Sequence, residues 1–402
     1  MHVCTFEHLG QAQIGVLRGN ELVTLSDKLT LPHGAQLSAH QPMIDLITHW
    51  PAVRAQVKAL TVALAAGAPA DLTLDNVHLL APIPRPGKTL AIGLNYLEHV
   101  NEAIVGESRT VPEHQVWFPK LANAIHPPFD DIVLPRASQM TDYEAEMVVI
   151  IGQRCRHVPL ERAHEVVFGY AVGNDVSVRD FQKRTSQWTL GKSFDTHAPF
   201  GPWITTADEV GDPHALEMRC WVNGELRQHS NTQQMMHTVW SQIAQLTQVM
   251  TLEPGDVIFT GTCSGVGAAF SPPKFLRAGD TVRLEIERRG AIVAHGVDEG
   301  DGRQALLSGR DQLAVARARQ GAQALAQGGG AAAAEDAAHK VPVAAALSGC
   351  GGDHHEAAAG GLGIDQGADD LFQTGGHGHG AFGREVGLQA RRGDARCGEL
   401  DA

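Results

Sequence analysis

Acidic residues at every second position lead into an apolar run in TDYEAEMVVIIG, residues 141–152. Met147–Ile151 reads as a buried strand. In a strand, positions i, i+2 and i+4 line one face, so Asp142, Glu144 and Glu146 are expected to point the same way at its mouth. A further acid, Asp175, ends the apolar run of GYAVGNDVSVRD. Alternating acids can be no more than the solvated face of an edge strand. Beside a core segment they carry a different implication. Isolated buried carboxylates are costly to ionise, and neighbouring ones raise each other's pKa. A divalent cation relieves both problems. Carboxylate oxygens with no His or Cys nearby select a hard ion, Mg²⁺ or Mn²⁺, with Ca²⁺ also compatible. Three protein oxygens leave coordination positions for water or a chelating substrate.

Other residue types could act beside such an ion. His99 and Glu102, in NYLEHVNEA, share a face at i, i+3 if the segment is a helical turn. Imidazole titrates near neutrality and suits general-base work, although such pairs are also common on surfaces. Lys192, in LGKSFD, follows a glycine and lies among apolar and aromatic residues. It reads either as a snorkelling lysine or as a site cation. Arg179 and Gln182, in VRDFQ, read by themselves as a solvated helix start. TGTCSGVG, residues 260–267, does not match the dinucleotide pattern GxGxxG. A turn of this kind can point backbone N–H groups at an anion. Cys263 has no indicated histidine partner and is expected to be an inert thiol.

Three regions must position these residues. Residues 1–78 open with a hairpin, VCTFE and AQIGVLRGNELVTLS, turning at Arg18-Gly19-Asn20. A helical pattern follows from Gln41 to Gly67. The segment as a whole is expected to be a small N-terminal α+β domain. APIPRPGK, 81–88, reads as a linker. Residues 79–298 are rich in short β-like runs, with Asn223-Gly224 as a hairpin signal and TQQMMHTVWSQIAQLTQVM as the clearest helix. Strands outnumber helices and do not alternate with them. The expected class is therefore α+β, mainly β, rather than a doubly wound sheet. Residues 299–402 hold about half of the chain's 44 glycines and only two aromatics, Phe372 and Phe382. Such a stretch cannot bury enough apolar surface to offset chain entropy, so a disordered tail is expected, apart from a short helix in RQALLSGRDQLAVARARQ. A shifted reading frame is the other explanation of that composition. Its GGHGHG and DHHE stretches are not expected to form a metal site.

The chain has 402 residues, 43% hydrophobic and 19% charged, with a formal net charge of −13. The acidic balance argues against nucleic-acid or anionic-membrane partners. No run reaches the roughly 18 apolar residues of a membrane span. Six scattered cysteines form no CxxC pair. The opening MHVCTFEHLG lacks the features of a signal peptide. A cytoplasmic location is expected.

In order and with the usual spacing, AIGLNYLEHVNEA, YEAEMVVIIG, GYAVGNDVSVRDFQ, GKSFDTHAPFGPWI and LEPGDVIFTGTCSGVG resemble the fumarylacetoacetate hydrolase family over about residues 80–290. The resemblance implies a mixed β-roll or sandwich catalytic domain, usually a homodimer, with Mg²⁺ held by Glu144, Glu146 and Asp175. Asp142 is not a ligand position in that pattern and is expected beside the ligands or at the strand edge. His99 and Glu102 fall where relatives carry a His and a Glu on a short lid. Lys192 matches a lysine reaching toward the metal-bound substrate and an acidic ligand. Arg179, Gln182 and, more weakly, Lys120 in WFPK match substrate-contacting positions, and Thr262 with its neighbours is expected to hold a substrate carboxylate or an oxyanion. The implied activity is hydrolysis of a carbon–carbon bond in a 2,4-dioxo acid, with His99 activating water and the product leaving as an enolate. The alternatives on the same platform are oxaloacetate decarboxylation, enol–keto or hydroxymuconate-type isomerisation, and ureidoglycolate-type lyase chemistry. A non-catalytic metal- or metabolite-binding member is a further alternative. The sequence departs from the pattern in TVRLEIERRGAIVAHGVDEG, which lacks the Asn-x-Val type of ending, and in the tail beyond it.

Overall fold

The computed structural model describes residues 1–102 and 111–299. The expectations for the Ala/Gly-rich tail, its short helix and its histidine stretches lie outside these residues.

The strand Ala145–Ile151 is buried along its whole length. It pairs antiparallel with Val167–Asn174 on one side and Val257–Thr262 on the other. Its unbroken apolar run follows from burial on both faces. Met147, Val149 and Ile151 enter one core, while Val148 and Ile150 enter another. Each such side chain contributes about 1.5–3 kcal/mol by leaving water. The first core is closed by the strands Glu217–Val222 and Thr281–Ile286 and by one face of the helix Val239–Val249. The second is closed by the helices Pro42–Thr48 and Trp50–Ala65.

Among the described residues the central sheet has twelve strands and a second sheet has five. The pairing is mixed: Val257–Phe259 runs parallel to Thr89–Ala91, and Ala198–Pro199 parallel to Ile125–His126. The architecture is α+β and mainly β. The N-terminal hairpin joins the central sheet through His2↔Thr205 and Val3↔Ile204.

Turn chemistry places both expected hairpins. Arg18 pairs with Glu21 around Gly19-Asn20, and Val222 with Glu225 around Asn223-Gly224. The helical pattern at 41–67 is divided. Pro51 lies in the first turn of the second helix, where its missing N–H does no harm, and the chain bends at His49. The helix expected across 232–250 is shortened to Val239–Val249, because Thr238 caps it by accepting the Ser241 N–H at 3.3 Å. The acidic strand is also interrupted. Thr141–Asp142 pairs with Ser177–Val178 in a separate ribbon, and the main strand begins only at Ala145. Asp142, Glu144 and Glu146 therefore do not line one regular face.

Candidate active site

Two adjacent strands bring the acids together. Glu146 sits in the central strand, with Gly173 and Thr262 as its cross-strand neighbours. Asp175 follows the last residue of the strand Val167–Asn174, and its N–H donates to the Glu144 carbonyl at 3.0 Å. The Glu144 N–H donates to Asn174 Oδ1 at 3.0 Å, fixing the irregular residue. Carboxylate oxygens of Glu144, Glu146 and Asp175 lie within 4.8 Å of one another, and all three side chains are buried.

Cations surround this group unevenly. The Lys192 ammonium donates to Glu144 Oε2 and Asp175 Oδ2, both at 2.7 Å. Arg179 donates to Glu144 Oε1 at 2.6 Å and to Asp142 Oδ2 at 2.8 Å. Lys120 donates to Asp175 Oδ1 at 2.5 Å. Glu146 has no cation at ion-pair distance among the described residues, and accepts only the Gly261 N–H, at 2.8 Å. Burial, and then the Asp175 and Glu144 charges, push the Glu146 carboxyl well above its usual range. Burial also acts on Glu144, but Lys192 and Arg179 outweigh it and hold that carboxyl below its usual range. At Lys192 the acids overcome burial and raise the ammonium pKa, whereas at Lys120 burial wins and lowers it. A divalent cation among the three acids would oppose each influence acting on Glu146. The all-oxygen donor set fits a hard ion, so the group can hold a divalent metal.

His99 is carried by a five-residue helix, Leu97–Asn101. The turn before it is strained: Leu94 has φ +56°, in the left-handed region. Asn95 pins that turn, with its side chain accepting the His237 N–H at 2.7 Å and donating to the carbonyls of His237 at 3.0 Å and Thr260 at 2.8 Å. His99 is buried, and its Nδ1 lies 2.6 Å from Glu102 Oε2. The other Glu102 oxygen accepts the N–H of Gly265. Gly265 has φ +101°, and a Cβ there would lie 1.9 Å from the Arg227 carbonyl oxygen, so no other residue fits.

The polar residues lining a cavity of about 20 Å³ are His99, Glu144, Glu146, Arg179, Gln182, Lys192 and Thr262. That is room for one ion or water. A larger cavity of about 360 Å³, between Leu134–Arg136 and Leu276–Ala278, is lined by none of these residues.

The structure corrects three expectations of placement. Lys120 does not line the cavity; it is fully buried behind Asp175 and also donates to the Lys192 carbonyl. The Thr262 hydroxyl reaches the cavity but donates to the Ala145 carbonyl at 2.9 Å and accepts from Gln228 at 2.8 Å, so its one proton is committed. The N–H groups of Gly261, Gly265 and Gly267 point at Glu146, Glu102 and Asp142, carboxylates of the protein itself rather than of a substrate. Asp142 binds Arg179 and the 267–268 turn, and is absent from the cavity lining. Cys263 is buried, and burial raises its thiol pKa. Asn95 and Gln228, which hold the site in shape, carried no local signal in the sequence.

A mixed β fold here brings a buried group of three carboxylates, able to hold a divalent cation, beside a histidine paired with a carboxylate. The chain belongs to the fumarylacetoacetate hydrolase family: residues 88–297 match the family description "Fumarylacetoacetate (FAA) hydrolase C-terminal". It is 47% identical over 223 residues to a mitochondrial oxaloacetate tautomerase of Xenopus laevis, covering 55% of this chain and 69% of the relative. To a mitochondrial oxaloacetate tautomerase of Homo sapiens it is 45% identical over 233 residues, covering 58% and 73%. The solved structure of maleylpyruvate hydrolase from Sphingobium sp. SYK-6, in complex with manganese (II) ion and pyruvate, superposes with a TM-score of 0.60 at 34% identity, covering 74% of this chain and 99% of that one. The compartment in the relatives' names overturns the cytoplasmic expectation. Scattered cysteines and an acidic balance fit any reducing compartment and cannot select one.

Proposed function

We propose that the protein interconverts the enol and keto forms of oxaloacetate or a similarly short 2-oxo acid, with Mg²⁺ or Mn²⁺ held by Glu144, Glu146 and Asp175. The observation that carries this reading is the shared cavity: His99, paired with Glu102, opens on the same small space as Glu144, Glu146 and Lys192. A bound cation would supply Lewis-acid stabilisation of the negative charge that develops on the 2-oxo group. The chain's own residues do the rest. With Nδ1–H donated to Glu102, the His99 Nε2 lone pair is free to take the proton from C3 of the keto acid, or to return it in the reverse direction. Lys192 uses two of its three donors on Glu144 and Asp175, which leaves one for the oxygen that gains charge. Gln182 turns Oε1 to Arg179 at 3.1 Å, leaving its amide N–H groups for a substrate carboxylate.

Two relatives above 40% identity that are named oxaloacetate tautomerases favour this isomerisation over carbon–carbon hydrolysis. Hydrolysis of a 2,4-dioxo acid is the second reading, supported by the 34% identical maleylpyruvate hydrolase. There His99 would activate a water instead. One assay separates them. Purified protein with Mg²⁺ is given enol oxaloacetate and, separately, acylpyruvates, while enol absorbance, CO₂ and pyruvate are followed. The expected result is enol loss above the spontaneous rate without pyruvate release, reduced about 10²–10⁴-fold in His99→Ala. Pyruvate release from acylpyruvates as the dominant activity would replace tautomerisation with hydrolysis.

A further inference from the structure

The cavity has a second face that the chemistry above does not use. Its remaining lining residues are Ile92, Gly93, Leu94 and Trp188. We propose that Trp188 is the specificity-determining residue of the site, a fixed wall beside the ion-sized space against which short 2-oxo acids fit and longer ones do not; this rests on the 2-oxo acid reading above.

The indole is wedged from two sides. A Cβ on residue 93 would lie 2.2 Å from Trp188 Cζ3 and 2.8 Å from its Cη2, so the ring lies directly on the Gly93 backbone. Phe118 packs against it with ring centroids 5.4 Å apart and planes at 57°. The Trp188 backbone is anchored as well. Its carbonyl accepts the Lys192 N–H at 3.1 Å, closing the turn Thr189–Lys192. The Lys192 ammonium then passes over the same Phe118, 4.9 Å from its centroid. Wall and site cation are thus four residues apart on one short helix, braced by one aromatic ring. A substrate whose oxo-acid end meets Lys192 and the carboxylates must run its remaining carbons past the indole. The strained Leu94 backbone beside it is pinned through Asn95, which holds it against withdrawal.

The test is a length series. Pyruvate, 2-oxobutanoate, 2-oxohexanoate and 2-oxooctanoate are titrated calorimetrically into Mn²⁺-loaded wild type, Trp188→Ala and Trp188→Phe. In wild type, affinity should fall by about tenfold or more from pyruvate to 2-oxohexanoate, since a filled apolar wall discriminates at the level of single methylenes. In Trp188→Ala the ratio should flatten or invert, with Trp188→Phe between the two. An unchanged ratio in Trp188→Ala overturns the proposal. Should that variant fail to fold by circular dichroism, Trp188→Leu is read in the same way. Failure of pyruvate to bind the loaded wild type removes the 2-oxo acid reading, and the wall with it. Turnover of enol oxaloacetate by wild type is measured alongside. Its absence together with an intact, Trp188-dependent length ratio overturns the tautomerase and leaves the wall standing.

Discussion

Glu146 differs from the acids around it. Asp142, Glu144 and Asp175 each face a cation, whereas Glu146 faces a backbone N–H. With its carboxyl raised well above 4.5, it must lose a proton to become a ligand. Mg²⁺ affinity should therefore climb with pH by up to about tenfold per unit until the pH passes the raised value, then level off. Glu146→Gln should weaken binding and abolish the slope. Calorimetric titrations across pH check both, and a wild-type affinity independent of pH would contradict the assignment. Lys120 supports a second prediction. Removing one partner of a buried ion pair costs about 3–5 kcal/mol when the other is left uncompensated; Asp175 keeps Lys192, so the cost expected here is at the lower end, about 3 kcal/mol. Lys120→Met should lose that much stability in denaturant, and adding Asp175→Asn should restore part of it. A Lys120→Met protein as stable as wild type would mean that water reaches Asp175 from behind.

At the scale of elements, the stretch Gly261–Gly267, from the end of one strand into the following loop, acts as a clasp. Its glycine N–H groups hold Glu146, Glu102 and Asp142, which lie on three different segments. Gly265→Ala combines a φ of +101° with a clash against the Arg227 carbonyl, and strained backbone of this kind costs about 1–3 kcal/mol before the clash is counted. Activity should fall with stability, because relieving the clash moves the residue 265 N–H away from Glu102. Denaturation curves and turnover of the variant test this, and a change below about 0.5 kcal/mol would mean that the loop simply relaxes. Much of the site was legible from such local patterns: Glu-x-Glu before an apolar run, Asp at the end of another, and His and Glu one turn apart. What stayed hidden depends on distant pairing. Asp142 finds its donors at Gly267 and Ala268, some 125 residues away. The break before Ala145 turns it from the cavity, which alternation alone could not foretell. Lys120 and Trp188 were equally opaque, because only the packed sheet decides which side chains stand behind the ligands and which in front.

For the whole molecule, metal and proton act on one folding equilibrium. The Glu146 pKa is raised in the folded state, so between 4.5 and that raised value the folded chain holds a proton that the unfolded chain has lost. Stability in EDTA should consequently decline as pH rises through that window. Saturating Mg²⁺ should reverse the trend, adding about 2.7 kcal/mol at a hundredfold excess over Kd. Thermal melts with and without the ion, at two pH values, test the sign. A larger Mg²⁺ effect at the lower pH would contradict it.

The proposed metal ligands and the proposed base hang from very different supports. Glu146 belongs to a strand paired on both sides, whereas His99 rides on five residues of helix. Amides of 146–150 should then exchange with solvent deuterium only when the whole chain unfolds, and those of 97–101 through small local openings. On that expectation His99 opens and recloses while Glu146 stays in place. Variation in that one turn could redirect the reaction from moving a proton to activating a water without disturbing the strands that hold the acids.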